Sequence, residues 1–470
     1  MTPNPSPKWA ILFAVVVTQF AVPFMLSAVG VCLPSIGREY AASAIALSLV
    51  ESVFLCVNAM LLLPLGRAGD IFGRGGVFLF GLLLFALATA GLTMAPNMEA
   101  FLVVRGIQAV GRAMTLATGL ALLYDAFPFE ERGRALGISA AGIFLGISAG
   151  PFLGGIIAAR FGWRWMFYAG MAPCALAFLI CLRNLEWRLS AKPGERFDWW
   201  GAITSAAGIG LLVFGSAHTE NMLGWLSMGG GILLCGLFIV IESRTRVPLL
   251  HLDLFSSNAP FSLGVTAICL LRCAAFGISF LLSLYLQYGR GMSPAEAGTL
   301  LVVQPVIQCM VSPLSGRLAD RIPAHAMAGA GAMITTAAIV VSATLTGSSG
   351  LGAVATVLAV AGLGIGIFST PSLLVVMSAV DESRYGIASA MSGQSRTLGM
   401  TLCMAAVTVA MAHFVGNHPL GPEVFDRYLL AMRWLFVGFA ILGFIGAALS
   451  FLARKRAMAG SPQVRQGPAQ

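Results

Sequence analysis

Charge is what this sequence has least of. Only 10% of its 470 residues are Asp, Glu, Lys or Arg, while 58% are hydrophobic and the mean hydropathy is +0.88. A water-soluble fold of this length cannot cover its surface with so few charged groups. That excludes a soluble globular enzyme or binding domain and leaves the lipid bilayer as the solvent. Carboxylates are scarcer still, 19 against 28 Lys and Arg, and of the carboxylates Glu51 alone falls well inside an apolar run. With five histidines, and no paired His/Asp ligands or Ser-His pair within an apolar segment, a membrane-embedded enzyme has no candidate site. The nine cysteines are scattered without metal-like spacing and read as small buried hydrophobes. No metal or other cofactor is expected. The 55 glycines and 22 prolines are compatible with helices in lipid, where neighbouring helices satisfy the freed backbone groups.

What is present is a long series of apolar stretches. Runs of spanning length recur at 9–34, 45–66, 77–95, 100–124, 134–158, 164–183, 199–217, 222–242, 259–286, 295–316, 325–346, 350–378, 386–412 and 428–452, which predicts an all-α membrane protein of fourteen helices. The first run follows a short polar lead without a cleavage site and is read as a retained membrane helix rather than a signal peptide. An even number of spans puts both termini on one side. With the termini inside, and residues near span ends counted with the adjoining segment, 18 Lys and Arg fall to the inside and 6 to the outside, so both termini are expected in the cytoplasm. The net charge of +9 is thereby a topology signal, and no nucleic-acid partner is expected. The basic tail 456–470, rich in Gly, Pro, Ser and Gln, is expected to be disordered.

An internal repeat gives the plan. GRAGD at 66–70 matches GRLAD at 316–320, an offset of 250 residues, and ERGRALG at 131–137 pairs more weakly with ESRYGIAS at 382–389. Two matches at a similar offset argue for duplicated halves. The offset exceeds one six-helix unit, so two extra helices lie between. The expected domains are a six-helix half over 1–190, an inserted two-helix pair over 191–250 and a second six-helix half over 251–455. Duplicated halves with unrepeated charges suggest one central site rather than a symmetric channel.

Several motifs resemble those of the major facilitator superfamily, and within it the fourteen-helix drug:proton antiporter family. GRAGDIFGR (66–74) resembles its loop signature through Gly66, Asp70, Gly73 and Arg74, with Ile71 where a basic residue is usual. A tight turn there lets Asp70 meet a helix N-terminus or a basic partner and latch one conformation; Asp320 is its counterpart in the repeat. RGIQAVGR (105–112) resembles the family's R-x-x-Q-G-x-G through Arg105, Gln108 and Gly111, with Ala109 replacing a glycine. GIFLGISAGPFLGG (142–155) carries Gly142, Gly146, Gly150 and Gly154 at four-residue spacing, one smooth helical stripe, with Pro151 and Gly155 completing the GP-x-x-GG ending of proton-coupled antiporters. Trp163-Arg164-Trp165 also resembles the family and reads as an interfacial belt. The chain departs from the family in its first helix, where Met25 stands at the site of a frequent aspartate. This weakens a polycationic-drug reading.

The resemblance implies a proton-coupled antiporter of the bacterial inner-membrane type, monomeric, exporting a small organic compound or drug by alternating access. Ionisable groups inside a membrane are costly and therefore functional candidates. Glu51 and Arg105 are the candidates for proton coupling; burial and a nearby arginine act on a carboxyl in opposite directions. Arg112 and Arg272, both near the middle of their helices, are candidates for the substrate cavity with Asn58, Gln108, Gln304 and Gln308. If both arginines line it, the cavity is positive and suits an anionic or zwitterionic substrate, which keeps an organic-anion exporter or exchanger as the alternative.

Overall fold

The computed structural model describes residues 8–185, 197–219, 221–245, 249–250, 252–319, 321–381 and 384–460. Asp320, most of the loop between the sixth and seventh helices, the start of the 382–389 repeat and the tail from residue 461 lie outside the described residues.

Among the described residues, fourteen helices are long and apolar enough to cross a membrane. The first half holds α1 (Lys8–Glu39), α2 (Ala44–Phe72), α3 (Arg74–Thr93), α4 (Met98–Ala126), α5 (Glu131–Phe161) and α6 (Trp163–Arg183). A hairpin of α7 (Trp199–Ala217) and α8 (Met222–Glu242) follows. The second half holds α9 (Ala259–Gly289), α10 (Pro294–Leu318), α11 (Ala324–Ser342), α12 (Leu351–Ser378), α13 (Tyr385–Val415) and α14 (Pro422–Ala453). All fourteen apolar runs read from the sequence are helices.

Polar residues set the helix starts. Ser43 accepts from the Ala46 amide at 3.2 Å and Asn97 from the Ala100 amide at 2.8 Å, which satisfies amides that no preceding turn can reach. Ser293 and Glu296 close a reciprocal capping box at the start of α10. That helix is interrupted at Val302. Pro305 has no N–H to offer the carbonyl of Leu301, so the ladder breaks there.

Both described chain ends lie on one face of the bundle, here the chain-end face; the opposite one is the far face. The α7–α8 hairpin packs through α7 on α2 and α13, one helix from each half. α8 leaves most of its apolar surface exposed, as lipid contact allows.

Candidate functional site

The glycine stripe of α5 is a packing surface for α1. A Cβ at Gly142 would sit 3.0 Å from the Val16 carbonyl oxygen, one at Gly150 would sit 2.7 Å from that of Phe24, and one at Gly154 would sit 2.6 Å from Ala28 Cβ. At Gly146 it would strike the Phe20 carbonyl oxygen. Gly155 faces the other way, against the Pro294 carbonyl in the second half, and Gly298 of α10 abuts the Pro151 carbonyl in return. The motif therefore has two faces: one holds the first half together, and one joins the halves.

That second face belongs to a closure at the far face. Ser48 Oγ and Ser52 Oγ both lie 3.0 Å from Thr408 Oγ1. Thr401 donates to the Leu55 carbonyl at 3.1 Å. Ser283 Oγ donates to the Gly30 carbonyl at 2.7 Å and Gln287 Nε2 to that of Val31 at 2.9 Å. Pro34 lacks the N–H that would otherwise bond the Gly30 carbonyl, so Ser283 supplies the missing donor. Pro151 likewise frees the Ile147 carbonyl, which Ser27 Oγ meets at 3.3 Å.

Beneath this closure lies a cavity of about 160 Å³ between the halves. Its wall is mostly apolar, including Leu26, Phe276, Phe280, Ile365 and Met400, with Glu51, Arg272, Gln304, Gln308, Ser27 and Ser279 as the polar groups. Such a lining is usual for a small-molecule site. Ser279 donates to Gln304 Oε1 at 3.1 Å, and Arg272 Nη2 donates to Ser369 Oγ at 3.3 Å. Three residues expected at the wall are elsewhere. Gln108 is spent on a buried network, Asn58 is fully buried on α2, and Arg112 lies over the Phe54 ring at 5.7 Å. Spacing along α4 put Arg105 and Arg112 on one face but did not say which neighbour that face meets.

Glu51 sits at the cavity wall, 2% exposed, with Arg105 Nη2 3.5 Å from its carboxylate. Neither of its oxygens accepts a hydrogen bond. Arg105, 1% exposed, is held from three sides. It donates from Nη1 to Gln108 Oε1 at 2.6 Å and from Nε to the Val50 carbonyl at 3.3 Å. Its guanidinium also lies 4.2 Å from the centre of the Phe54 ring. Gln108 Nε2 in turn donates to Thr89 Oγ1 at 2.8 Å. Glu51 is thus the one member of the network open to the cavity.

The sequence of the chain answers to the same plan. The Major Facilitator Superfamily description matches residues 15–404, with a second match over 266–470. The chain belongs to the major facilitator superfamily. It is 30% identical over 392 residues to the multidrug resistance protein Stp of Mycobacterium tuberculosis (strain CDC 1551 / Oshkosh), covering 82% of this chain and 72% of Stp. It is 27% identical to the tetracenomycin C resistance and export protein of Streptomyces glaucescens (87% and 77% covered). The riboflavin transporter RibZ of Clostridioides difficile is 26% identical over 95% of this chain and 98% of its own. In structure, the chain resembles a bacterial homologue of the human lysosomal transporter Spinster, described as inward-facing and unoccupied, with a TM-score of 0.71 and 17% identity over the whole of both chains. This chain is a membrane transporter, not an enzyme.

Two further features of the transporter concern the 66–74 signature and the Trp163-Arg164-Trp165 string. The segment 66–72 is the last part of α2, and the turn is the single residue Gly73, at φ 111°, a backbone region that favours glycine. The turn brings Arg74 back on Asp70 at 2.8 Å and onto Asp125, at the end of α4, also at 2.8 Å. At the far face, Trp163 is buried, at 4% exposed, while Trp165 is 56% exposed, so only the latter suits a belt. Trp163 Nε1 donates to Glu39 Oε2 at 2.7 Å, and Arg164 grips the same carboxylate with two bonds of 2.9 and 2.6 Å. Glu39 was not legible as a partner because the two residues are 124 and 125 positions away from it.

Proposed function

We propose that this transporter exports a small organic compound from the cytoplasm across the inner membrane in exchange for protons, by alternating access. The observation that carries the reading is Glu51: a carboxyl at the cavity wall whose oxygens make no hydrogen bond and whose charge partner, Arg105, has other partners ready. When Glu51 takes a proton, the ion pair lapses while Arg105 keeps Gln108, the Val50 carbonyl and the Phe54 ring. When Glu51 gives the proton up, the pair re-forms. A group that can lose its partner without leaving a naked guanidinium is suited to cycle. The named activities of Stp and of the tetracenomycin exporter support efflux of organic molecules. The Lys/Arg bias supports cytoplasmic termini, so the far face is external, and its closure supports the inward-facing member of the cycle.

The test is proton flux. In proteoliposomes carrying an entrapped pH indicator, compounds from a drug panel should drive proton movement against substrate movement, and Glu51→Gln should abolish the proton signal while substrate binding persists. Substrate movement with no proton signal in the native protein would replace antiport by a uniport reading.

Within the same cycle Asp70 and Arg74 act as a latch. Asp70→Asn removes one half of a partly exposed pair, worth about 0.2–1 kcal/mol, and Arg74 keeps Asp125. Expression and unfolding temperature should therefore hardly change, while the transport rate should fall about tenfold. Unaltered transport in the variant would reduce the loop to a topology marker.

A further inference from the structure

We propose that Arg272 and Arg396 form an anion clamp at the cavity, so that the transported compound carries a negatively charged group attached to an apolar ring or chain. The inference rests on the reading of this cavity as the substrate site.

Arg272 lies on α9 at the cavity wall. Its neighbour on α13 is Gly399: a Cβ there would sit 3.0 Å from Arg272 Cβ and 3.1 Å from the Cys273 amide. Arg396 lies less than one turn from Gly399 on α13, and four residues before Met400, which lines the cavity. Residues four apart on a helix share a face, so Arg396 is placed about one turn toward the chain-end face from the cavity wall. Both arginines are half-buried.

Neither has a carboxylate partner among the described residues. The ion pairs of that set lie at helix ends, apart from Glu51 with Arg105. The interiors of α9 to α14 contain no Asp or Glu at all. Two guanidiniums, which do not escape by deprotonating, thus lie on adjoining helices in the membrane core, where Arg272 donates to a neutral hydroxyl, that of Ser369. Intramembrane arginines are costly unless paired, and two together repel. An anion resolves both terms at once, and guanidinium forks bind carboxylates with good geometry. Next to the clamp the wall is apolar, with Phe276, Phe280, Ile365 and Met400, and a cavity of about 160 Å³ is close to the about 150 Å³ that accepts a benzene ring.

Benzoate, benzamide and benzamidine present one ring with a negative, a neutral and a positive head of similar shape. With the full chain in lipid nanodiscs at constant ionic strength, benzoate should raise the unfolding temperature and the other two should not. Arg272→Gln should abolish the benzoate shift, Arg396→Gln should weaken apparent affinity about tenfold, and Arg272→Lys should retain part of it. Without ligand, both glutamine variants should be at least as stable as the native protein, because each removes an unpaired charge. The proposal is overturned if benzamidine stabilises in place of benzoate, if no probe shifts the transition, if the benzoate shift survives Arg272→Gln, or if Arg272→Gln alone destabilises the ligand-free protein. Failure of proton exchange with this benzoate pattern intact removes antiport and leaves the clamp. The converse removes the clamp and leaves antiport.

Discussion

Arg105→Met should destabilise the protein by about 3–5 kcal/mol, the usual cost of breaking a buried ion pair from one side. Methionine fills much of the space, so the loss is electrostatic rather than a cavity. Glu51 is left as a buried carboxylate without its contact partner, and Gln108 Oε1 loses a donor at 2.6 Å. Adding Glu51→Gln to Arg105→Met should recover at least half of the loss, since the orphaned charge is gone. Lowering the pH of the single variant acts in the same direction, because a proton on Glu51 also removes the charge. Glu51→Gln alone should cost less than Arg105→Met, because Arg105 retains the Val50 carbonyl, Gln108 and the Phe54 ring. Reversible unfolding in mixed micelles across the four proteins gives the coupling energy directly. Additive effects, with no recovery in the double variant, would show that the two residues do not act as a pair.

Gly155→Val should damage transport by shifting the balance of conformations. A Cβ at 155 would meet the Pro294 carbonyl oxygen, with its carbon 3.1 Å away and Ala295 Cα at 3.3 Å. These are backbone atoms and do not rotate aside. Overpacking of this kind costs about 1–3 kcal/mol, and the cost falls on the conformation in which α5 and α10 touch. At 1.4 kcal/mol per decade, the closed far face should lose about one to two orders of magnitude in population. Spin labels at Glu99 and Ser348, exposed at the far face on opposite halves, should move apart, and transport should fall about 10- to 100-fold. Gly298→Val, aimed at the Pro151 carbonyl, should behave alike. Gly137→Val serves as the control, since a Cβ there meets nothing within 4 Å. An unchanged label distance at native transport rates would mean that the α5–α10 contact does not gate.

The fold was almost wholly legible in the sequence because each membrane helix announces itself by composition over about 20 residues, and the duplicated loop gave the halves. The site was legible residue by residue but not as a constellation. Glu51 and Arg105 stood out as ionisable groups in apolar runs, yet their pairing links positions on different helices that nothing in the spacing of either connects. Spacing did place Arg112 on the face of Arg105, and both do lie over Phe54; it could not say that neither lines the cavity. The glycines of α5 showed a smooth stripe. That Gly155 serves a different partner from Gly154 follows from the roughly 100° between successive residues, which matters only once α10 is known to be there. Glu39 was hidden because its carboxylate is an ordinary helix-end residue until Arg164 closes on it.

The carbonyls freed by Pro34 and Pro151 carry one more consequence. In the closed far face, Gly30 receives its hydrogen bond from Ser283 on the opposite half. Parting the halves strips that donor away, and Pro34 ensures that α1 has none of its own to offer. A bare carbonyl is not tolerated at membrane depth, so water must enter as the halves separate. Opening and wetting are then a single event, and its equilibrium answers to the activity of water as well as to cargo. Solutes that are excluded from protein surfaces, such as sucrose, bias the molecule toward the dry, closed form, so the solvent at the far face is itself a reactant in the transport cycle.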